Sequence, residues 1–235
     1  LHHLENVNIT ADRNLIDFRF PVQYVTRPNL DFRGFAGSVA SGVVRKGDEI
    51  LCLPSGKRSK IKSIVTYNGD IEEAYPPMAV TLTLEDEIDV SRGDMLVHPN
   101  NVPHVGNEVE AMLVWMHEDA AREKGTYLIK QTCQTAPAVL TSTRYKVDVN
   151  TMRKITTEEP GGDEPLSLNE IGRVSLTFHR PIVFDSYRKN PGTGSFVVID
   201  RLTNATVAAG MIIDRASARS AGDVSSPVSQ NITRE

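Results

Sequence analysis

The chain contains one short basic segment, Ser55-Gly56-Lys57-Arg58-Ser59, that is the nearest it comes to a phosphate-binding loop. Such loops have the form G-x-x-x-x-G-K-[ST], because backbone amides and a lysine must surround the phosphates. The segment lacks the first glycine, and no helical pattern follows it. We therefore interpret it as a hairpin turn with solvated basic side chains, and expect no nucleotide site here.

The histidines and cysteines show no spacing that is typical of a metal or catalytic site. The six histidines are not grouped with Cys52 and Cys133, or with carboxylates, at the intervals of zinc ligands. No Gly-x-Ser-x-Gly elbow marks a nucleophile. The sequence therefore predicts no catalytic residue, no cofactor-binding residue and no metal ligand in this chain.

Composition narrows the class of partner and the compartment. The 235 residues include 26 Lys and Arg against 30 Asp and Glu, a formal net charge of -4 that does not favour nucleic acid as a partner. The two cysteines fit a reducing compartment, and no apolar stretch approaches the length of a membrane span. We expect a cytoplasmic protein with no membrane partner.

Hydrophobic residues recur at every second position along most of the chain, which is typical of half-buried strands. The alternating sets are Phe18, Phe20, Val22 and Tyr24; Val80, Leu82 and Leu84; Val109, Ala111, Leu113 and Trp115; Tyr145, Val147 and Val149; and Val174, Leu176 and Phe178. No window of comparable length shows a helical stripe. The pattern predicts an all-β fold, built as a sandwich or as small closed barrels.

Two prolines between strand-like runs mark the boundary between two barrels, and we place it near Pro103. The first barrel is predicted over residues 15–103 and the second over 104–213. Residues 214–235 are rich in Ser, Ala and Gly, with little to bury, and are predicted to be a disordered tail or a linker.

A loop between two predicted strands of the first barrel combines arginines with apolar residues, the types that are favoured at protein contacts. Its candidate partner contacts are Arg27, Asn29, Asp31, Phe32 and Arg33. A second explanation stays open, in which Leu30 and Phe32 fold back and cap the end of the barrel.

A similar loop in the second barrel follows Asp185 and ends in a glycine-rich turn. Its candidate partner contacts are Tyr187, Arg188 and Lys189. Contact with a partner and simple solvation are both open explanations for this loop.

Several segments resemble known GTPases. Gly37-Ser38-Val39-Ala40-Ser41-Gly42, Lys46-Gly47-Asp48 and Ser91-Arg92-Gly93-Asp94 are similar to the second domain of translational GTPases such as elongation factor Tu. More specific segments are 20–25, 27–34, 86–94, 114–116 and 199–207, which resemble the GTPase subunit of bacterial sulfate adenylyltransferase. The resemblance covers roughly residues 1–213.

This resemblance implies two consecutive closed β-barrels, similar to domains 2 and 3 of elongation factor Tu. Residues 1–14 would then be a linker from an amino-terminal GTPase domain, which binds GTP and magnesium and is not in this chain. The partner would be an ATP-binding catalytic subunit that makes adenosine 5'-phosphosulfate and diphosphate from ATP and sulfate. Some members are fused to an adenylylsulfate kinase, and the tail resembles a linker to such a domain.

Two functions are therefore compared. The first is the non-catalytic barrel portion of the GTPase subunit, inactive on its own, in sulfate assimilation. The alternative is a translation-factor-like module that binds transfer RNA or protein. The net charge and the more specific segments favour the first function.

Overall fold

The structure is a computed structural model that describes residues 14–29, 32–122, 124–162 and 164–215. The strands are β1 (Arg19–Thr26), β2 (Gly34–Ser38), β3 (Val44–Arg45), β4 (Glu49–Leu53), β5 (Lys57–Thr66), β6 (Gly69–Ile71), β7 (Glu73–Ala74), β8 (Ala79–Leu84), β9 (Met95–Val97), β10 (His104–Trp115), β11 (Thr126–Gln131), β12 (Gln134–Val147), β13 (Lys154–Thr156), β14 (Ile171–Phe184), β15 (Ser195–Ile199) and β16 (Thr206–Arg215). The one helix in the described ranges, α1 (Pro191–Gly194), has four residues and is too short to cross a membrane.

The first nine strands include a closed barrel. Six of them pair in the order β4-β9-β1-β2-β8-β5, and β5 pairs back onto β4. Every pairing is antiparallel, as short hairpin connections allow. The strand β6 extends the hairpin from β5, and β3 pairs with β7 outside the ring.

The remaining strands form a second closed barrel. Its order is β11-β15-β16-β10-β14-β12, and β12 pairs back onto β11. The strand β13 extends this sheet beyond β12. Because closure removes exposed sheet edges, each barrel is a complete unit. The predicted all-β fold of two closed barrels is confirmed.

Each barrel has its own apolar core, built largely from the alternating sets. The set Tyr145, Val147 and Val149 is an exception, because the register of β12 shifts before Tyr145 and Lys146 is the buried residue there, while Val149 is 54% exposed. Phe18, Phe20 and Val22 are fully buried in the first core. In the second core, Trp115 is 2% exposed and its Nε1 donates to the Asp119 carbonyl at 2.7 Å. The predicted burial of Trp115 is confirmed, and its indole proton has the partner that a buried tryptophan needs.

The alternation misplaces Tyr24, which is 64% exposed. The pairing of β1 with β2 shifts between Val22 and Tyr24, where a bulge inserts one extra residue. A bulge reverses the faces of the residues that follow it, so Tyr24 lies on the outer surface rather than with Val22 in the core.

The chain passes from one barrel to the other between Val97, the last residue of β9, and His104, the first of β10. The boundary near Pro103 is kept as a proposal. The predicted linker over residues 1–14 and tail over 214–235 fall mostly outside the described residues, which begin at Asn14 and end at Arg215.

Candidate partner-binding surface

The predicted contact loop of the first barrel connects β1 to β2, and its two arginines face the acidic loop after β8. Arg27 lies 3.4 Å from Glu87, and Arg33 lies 3.9 Å from Asp89. Arg27 is 47% exposed and Arg33 is 25% exposed, and both carboxylates are more than 70% exposed, so each pair contributes at most about 1 kcal/mol. Both guanidinium groups can therefore exchange their present carboxylates for those of a partner.

Asn29 and Phe32 shape the turn of this loop. The Phe32 amide donates to the Asn29 side-chain oxygen at 2.9 Å. The Phe32 ring lies over Gly34, where a Cβ would come within 2.8 Å of the ring. Phe32 is half-buried, so it neither plugs the barrel completely nor stands free. Leu30 and Asp31 lie outside the described residues.

Beside this loop is an open groove of about 250 Å³. Its aromatic lining is Phe32 and Phe35, and Arg33 stacks over Phe35 with the guanidinium carbon 5.4 Å from the ring centroid. Ser63 and Thr83, which also line the groove, join through their hydroxyl groups at 2.7 Å. The groove offers aromatic, hydroxyl and charged groups together, which suits binding of a peptide segment.

The predicted contact loop of the second barrel lies partly on the surface and partly against the first barrel. Tyr187 is 38% exposed, and Arg188 is exposed. Lys189 instead reaches the first barrel, where its Nζ lies 3.3 Å from Asp17. The Lys189 carbonyl also accepts from the Asn14 side chain at 3.3 Å. Lys189 therefore joins the two barrels, while Tyr187 and Arg188 remain available on the surface.

A buried ion pair across the two barrels escaped the sequence analysis. Arg19 is fully buried, and its Nε and Nη2 donate to the two Asp185 carboxylate oxygens at 2.8 and 3.0 Å. Its Nη1 donates to the carbonyls of Phe18 and Asn101 at 2.9 and 2.8 Å. The Thr193 hydroxyl donates to Asp185 at 2.8 Å. The charge is thus paired and hydrogen-bonded, which buried charges require.

Further contacts surround this pair, and we call the whole contact region between the barrels the seam. The Asn190 side chain donates to the Ser41 hydroxyl at 2.7 Å, and both residues are buried. One apolar cluster also crosses the seam; it consists of Leu53, Met95, Val97 and Val183. The seam therefore combines apolar packing with satisfied polar groups, and it fixes the orientation of one barrel on the other.

Asp17 is a carboxylate of the seam whose pKa is lowered by its surroundings, so it links the stability of the fold to pH. Burial alone would raise this pKa, but hydrogen bonds from Asn14 and Asn101 and the charge of Lys189 lower it below its usual value. Because the folded-state pKa is depressed, ionised Asp17 stabilises the fold above the unfolded pKa of about 3.9, and this contribution disappears as pH falls through the folded pKa.

We expect Asp17→Asn to be less stable than the wild type at pH 7, and the difference to shrink below about pH 4. Urea unfolding at several pH values measures it. Asp148→Asn is a useful comparison, because Asp148 is partly exposed and its pKa is lowered by hydrogen bonds from Asn150 and Thr151 of its own turn, at the end of β12. A stability difference for Asp17→Asn that does not change with pH would contradict the assignment.

The two thiols have no reactive surroundings. Burial raises the pKa of Cys52 to about 11, and the neighbouring Asp94 carboxylate disfavours the thiolate further. Burial also raises the pKa of Cys133, against the opposing charges of Arg92 and Lys130. In the described ranges no group of three His, Cys, Asp or Glu residues is placed to hold a metal ion.

The sequence is similar to curated proteins over most of its length. Sulfate adenylyltransferase subunit 1 of Bacteroides thetaiotaomicron is 56% identical over 92% of the chain, and that of Bacteroides fragilis is 57% identical over 92%. The bifunctional enzyme CysN/CysC of Rhodopirellula baltica is 56% identical over 92% of the chain. The chain spans 45%, 44% and 32% of these relatives, respectively.

Two further comparisons concern the fold. The family model described as GTP-eEF1A C-terminal domain-like matches residues 108–213, which is the second barrel. The crystal structure of sup35 complexed with GMPPNP superimposes with a TM-score of 0.77 at 15% identity, over 92% of this chain and 51% of that one. The GDP complex of sup35 gives a TM-score of 0.75 over 86% of this chain and 48% of that one, at 17% identity.

The solved structures show a shared fold alone, because their identity is 15% and 17%, whereas the identity of 56–57% to subunit 1 relatives concerns the family. By its identity over 92% of its length, the chain belongs to the sulfate adenylyltransferase subunit 1 family and spans less than half of the relatives it matches.

Proposed function

We propose that this chain is the two-barrel, non-catalytic portion of a sulfate adenylyltransferase GTPase subunit. In the whole assembly it would support GTP-driven synthesis of adenosine 5'-phosphosulfate and diphosphate from ATP and sulfate. The observation that carries this proposal is the 56% identity to subunit 1 of that enzyme over 92% of the chain.

The role of the barrels is mechanical and structural. The buried Arg19–Asp185 pair joins the two barrels at the seam, so the barrels keep a fixed orientation relative to each other. Each barrel also presents contact groups at its surface, Arg27 and the half-buried Arg33 on the first and Tyr187 and Arg188 on the second. A rigid body with contact loops on both barrels can hold a GTPase domain and a catalytic subunit in a fixed relation.

The GTP and magnesium of the parent would be bound outside this chain, in its GTPase domain. The residues here do not fit either group, since the sequence has no G-x-x-x-x-G-K-[ST] loop and the described ranges have no metal-ligand cluster. The partners are that GTPase domain and the ATP-binding catalytic subunit, in the cytoplasm. A fused adenylylsulfate kinase is a further proposal, supported by the similarity to the CysN/CysC relative.

A translation-factor-like binding module is the second candidate function. The fold likeness to sup35 and the groove beside Phe32 favour it. A fold likeness at 15% identity does not specify a ligand, however, because one fold serves many functions. The identity to subunit 1 relatives therefore favours the first candidate.

The activity test compares the full-length parent with a variant that lacks residues 14–215, each mixed with the catalytic subunit. We expect GTP-stimulated release of diphosphate from ATP and sulfate only with the full-length parent. Equal GTP stimulation of diphosphate release by the variant would contradict the proposed role of the barrels.

The isolated chain is expected to bind no GTP, because it lacks the phosphate-binding loop. Calorimetric titration with GTP and magnesium measures this directly. The full-length parent serves as the positive control. Micromolar affinity of the isolated chain for GTP would contradict the proposal that GTP is bound outside this chain, in the GTPase domain.

A further inference from the structure

Three exposed cations, Arg92, Lys130 and Arg180, surround the tight turn that joins β11 to β12. Lys130 lies opposite Thr135 in the β11–β12 ladder, and the Arg180 Nη2 donates to the Thr135 carbonyl at 2.6 Å. The charges of Arg92 and Lys130 both lower the pKa of the Cys133 thiol against the effect of burial, so both cations lie near that side chain. We call Arg92, Lys130 and Arg180 the basic cluster.

The basic cluster is built from both barrels. Arg92 belongs to the segment between β8 and β9 of the first barrel, and its Nη1 donates to the Gln23 carbonyl at 3.1 Å. This segment packs against the second barrel, since a Cβ on Gly93 would lie 3.4 Å from the Gln134 Cγ. The three charges therefore come together only in the docked arrangement of the two barrels.

No carboxylate neutralises the basic cluster within the part of the chain that the structure describes. None of its three cations takes part in an ion pair there, and no acidic group is among the charges that act on Cys133. Asp94, two residues after Arg92, accepts from the Ser91 amide at 2.8 Å and lies 3.9 Å from the Cys52 Sγ, so it faces the first barrel. Cations held together without a carboxylate repel one another, which favours an anionic partner.

The turn at the centre of the cluster has a strained backbone. Gln131 pairs with Gln134, which leaves Thr132 and Cys133 as a two-residue hairpin loop. Thr132 has a φ of +50°, and it is the one β-branched residue among the five non-glycine residues with positive φ in the described ranges. Glycine and asparagine are the usual residues at such positions. Strained conformations of this kind are concentrated at binding sites, which supports a role of this turn in recognition.

Charge also indicates what kind of partner suits the cluster. A long polyanion would meet the negative charge of the rest of the chain, whose formal net charge is -4, so a nucleic acid is disfavoured. A short acidic peptide segment matches the small number of cations. Residues 216–235 contain two basic and two acidic residues, and the two acidic residues of 1–13 are seven positions apart. Neither segment supplies a run of carboxylates, so the acidic segment belongs to another protein.

We propose that the basic cluster binds an acidic peptide segment of a protein partner, whose carboxylates pair with Arg92 and with Lys130 and Arg180 at the same time. Because these cations belong to different barrels, one bound segment would bridge the seam. Binding would then stabilise the docked arrangement of the barrels by mass action.

Calorimetric titration of this chain with hexaglutamate, a synthetic peptide of six glutamates, tests the proposed site. We expect a dissociation constant on the order of 100 μM at low salt, where exposed charges are little screened. The triple variant Arg92→Gln/Lys130→Gln/Arg180→Gln should weaken binding about tenfold or more, because it removes the charges that face the peptide.

The matched control is a second triple variant, which has the same net charge but loses exposed cations elsewhere on the chain, namely Lys46→Gln/Lys60→Gln/Arg201→Gln. It should bind hexaglutamate within about twofold of the wild type, since distant surface charges are screened by salt. Equal losses of affinity in the two triple variants would show that net charge alone attracts the peptide, and would overturn the inference.

The Cys133 thiol gives a second readout that does not require the peptide. Cys133 is half-buried, whereas Cys52 is fully buried. An anionic disulfide, dithiobis(nitrobenzoate), should react with Cys133 faster relative to neutral dithiodipyridine in the wild type than in Lys130→Gln, by about threefold, because positive potential concentrates the anion. The Lys130 side chain makes no hydrogen bond or ion pair within the described ranges, so this variant should melt as the wild type does. An unchanged ratio of the two rates would overturn the inference.

Three other occupants of the cluster have their own signatures. Tighter binding of a hexathymidylate oligonucleotide than of hexaglutamate would identify a nucleic-acid site. Protection of Cys133 in the full-length parent without added peptide would show that another part of the parent covers the cluster. Self-association of the chain that the cluster variant abolishes would identify a second copy. Each of these results overturns the inference, whereas binding of hexaglutamate that only the cluster variant weakens supports it.

Discussion

Replacing Arg19 with alanine is expected to lower the free energy of unfolding by about 3–5 kcal/mol, because the change leaves the buried Asp185 carboxylate without its bidentate partner and with only Lys189, 4.0 Å away, as a charged neighbour. Arg19 is fully buried and Asp185 is 2% exposed, so water cannot replace the lost hydrogen bonds. For a chain of this size the melting temperature should fall by roughly 10 °C. Urea unfolding and thermal melting measure both quantities.

The same variant should also uncouple the two barrels. The chain has one tryptophan, Trp115, which lies in the second core, so its fluorescence reports that barrel alone, whereas circular dichroism reports both. We expect the two signals to coincide in the wild type and to separate in Arg19→Ala. Separate transitions indicate that the seam no longer unites the barrels.

Arg45→Ala is the control for this experiment. Arg45 pairs with Glu73 at 2.7 Å on the surface, and the two side chains are 68% and 42% exposed. Its loss should cost less than about 1 kcal/mol. If Arg19→Ala cost no more than this control, the seam would not depend on the buried pair.

Arg33→Ala is expected to weaken assembly of the parent with its ATP-binding subunit, or of its barrels with the GTPase domain, by about 30-fold, since an interface arginine can contribute about 2 kcal/mol or more. Its own barrel should lose at most about 1 kcal/mol, because the present contacts of the half-buried Arg33 are an ion pair with the exposed Asp89 and a stack on Phe35. Titration and thermal melting of the same samples separate the two effects.

The matched control is Arg58→Ala, which removes an arginine 62% exposed on β5 of the same barrel. We expect it to change neither assembly nor melting. Normal assembly of Arg33→Ala with a loss of several degrees in melting temperature would instead identify the loop as a plug of the barrel. The arginine stem would then serve the fold by covering apolar surface.

The fold was largely predictable because the strands alternate. Inward positions such as Phe20, Val109 and Leu176 are buried as the period of two requires. The structure also explains why a glycine is needed between β2 and β3. Gly42 has a φ of +70°, and a Cβ there would lie 2.3 Å from the Phe18 backbone.

The wrong predictions of burial arose at bulges and at contacts between the barrels, which an alternating pattern does not reveal. Tyr24 was assigned to the inward set, but a bulge before it reverses its face. Arg19 sits between two core phenylalanines, where alternation predicts an outward, solvated side chain. It is instead buried by the second barrel, 166 residues away in sequence at Asp185. Contacts between barrels depend on tertiary docking, which local patterns do not encode.

The contact loops, too, were only partly predictable from local sequence patterns. Composition singled out Arg33 and Lys189 as candidate partner contacts, but it did not distinguish an external partner from the neighbouring barrel. The structure pairs Lys189 with Asp17 across the seam and leaves Arg33 at the surface beside an open groove. The proposed external contacts are therefore concentrated on the loop between β1 and β2 and on Tyr187 and Arg188.

Sedimentation velocity of this chain with the purified ATP-binding subunit, and separately with transfer RNA, tests the proposed function most directly. The proposed function predicts a complex with the subunit at micromolar concentrations and no complex with transfer RNA at physiological salt. A complex with transfer RNA, and none with the subunit, would contradict it and identify the chain as a translation-factor-like binding module.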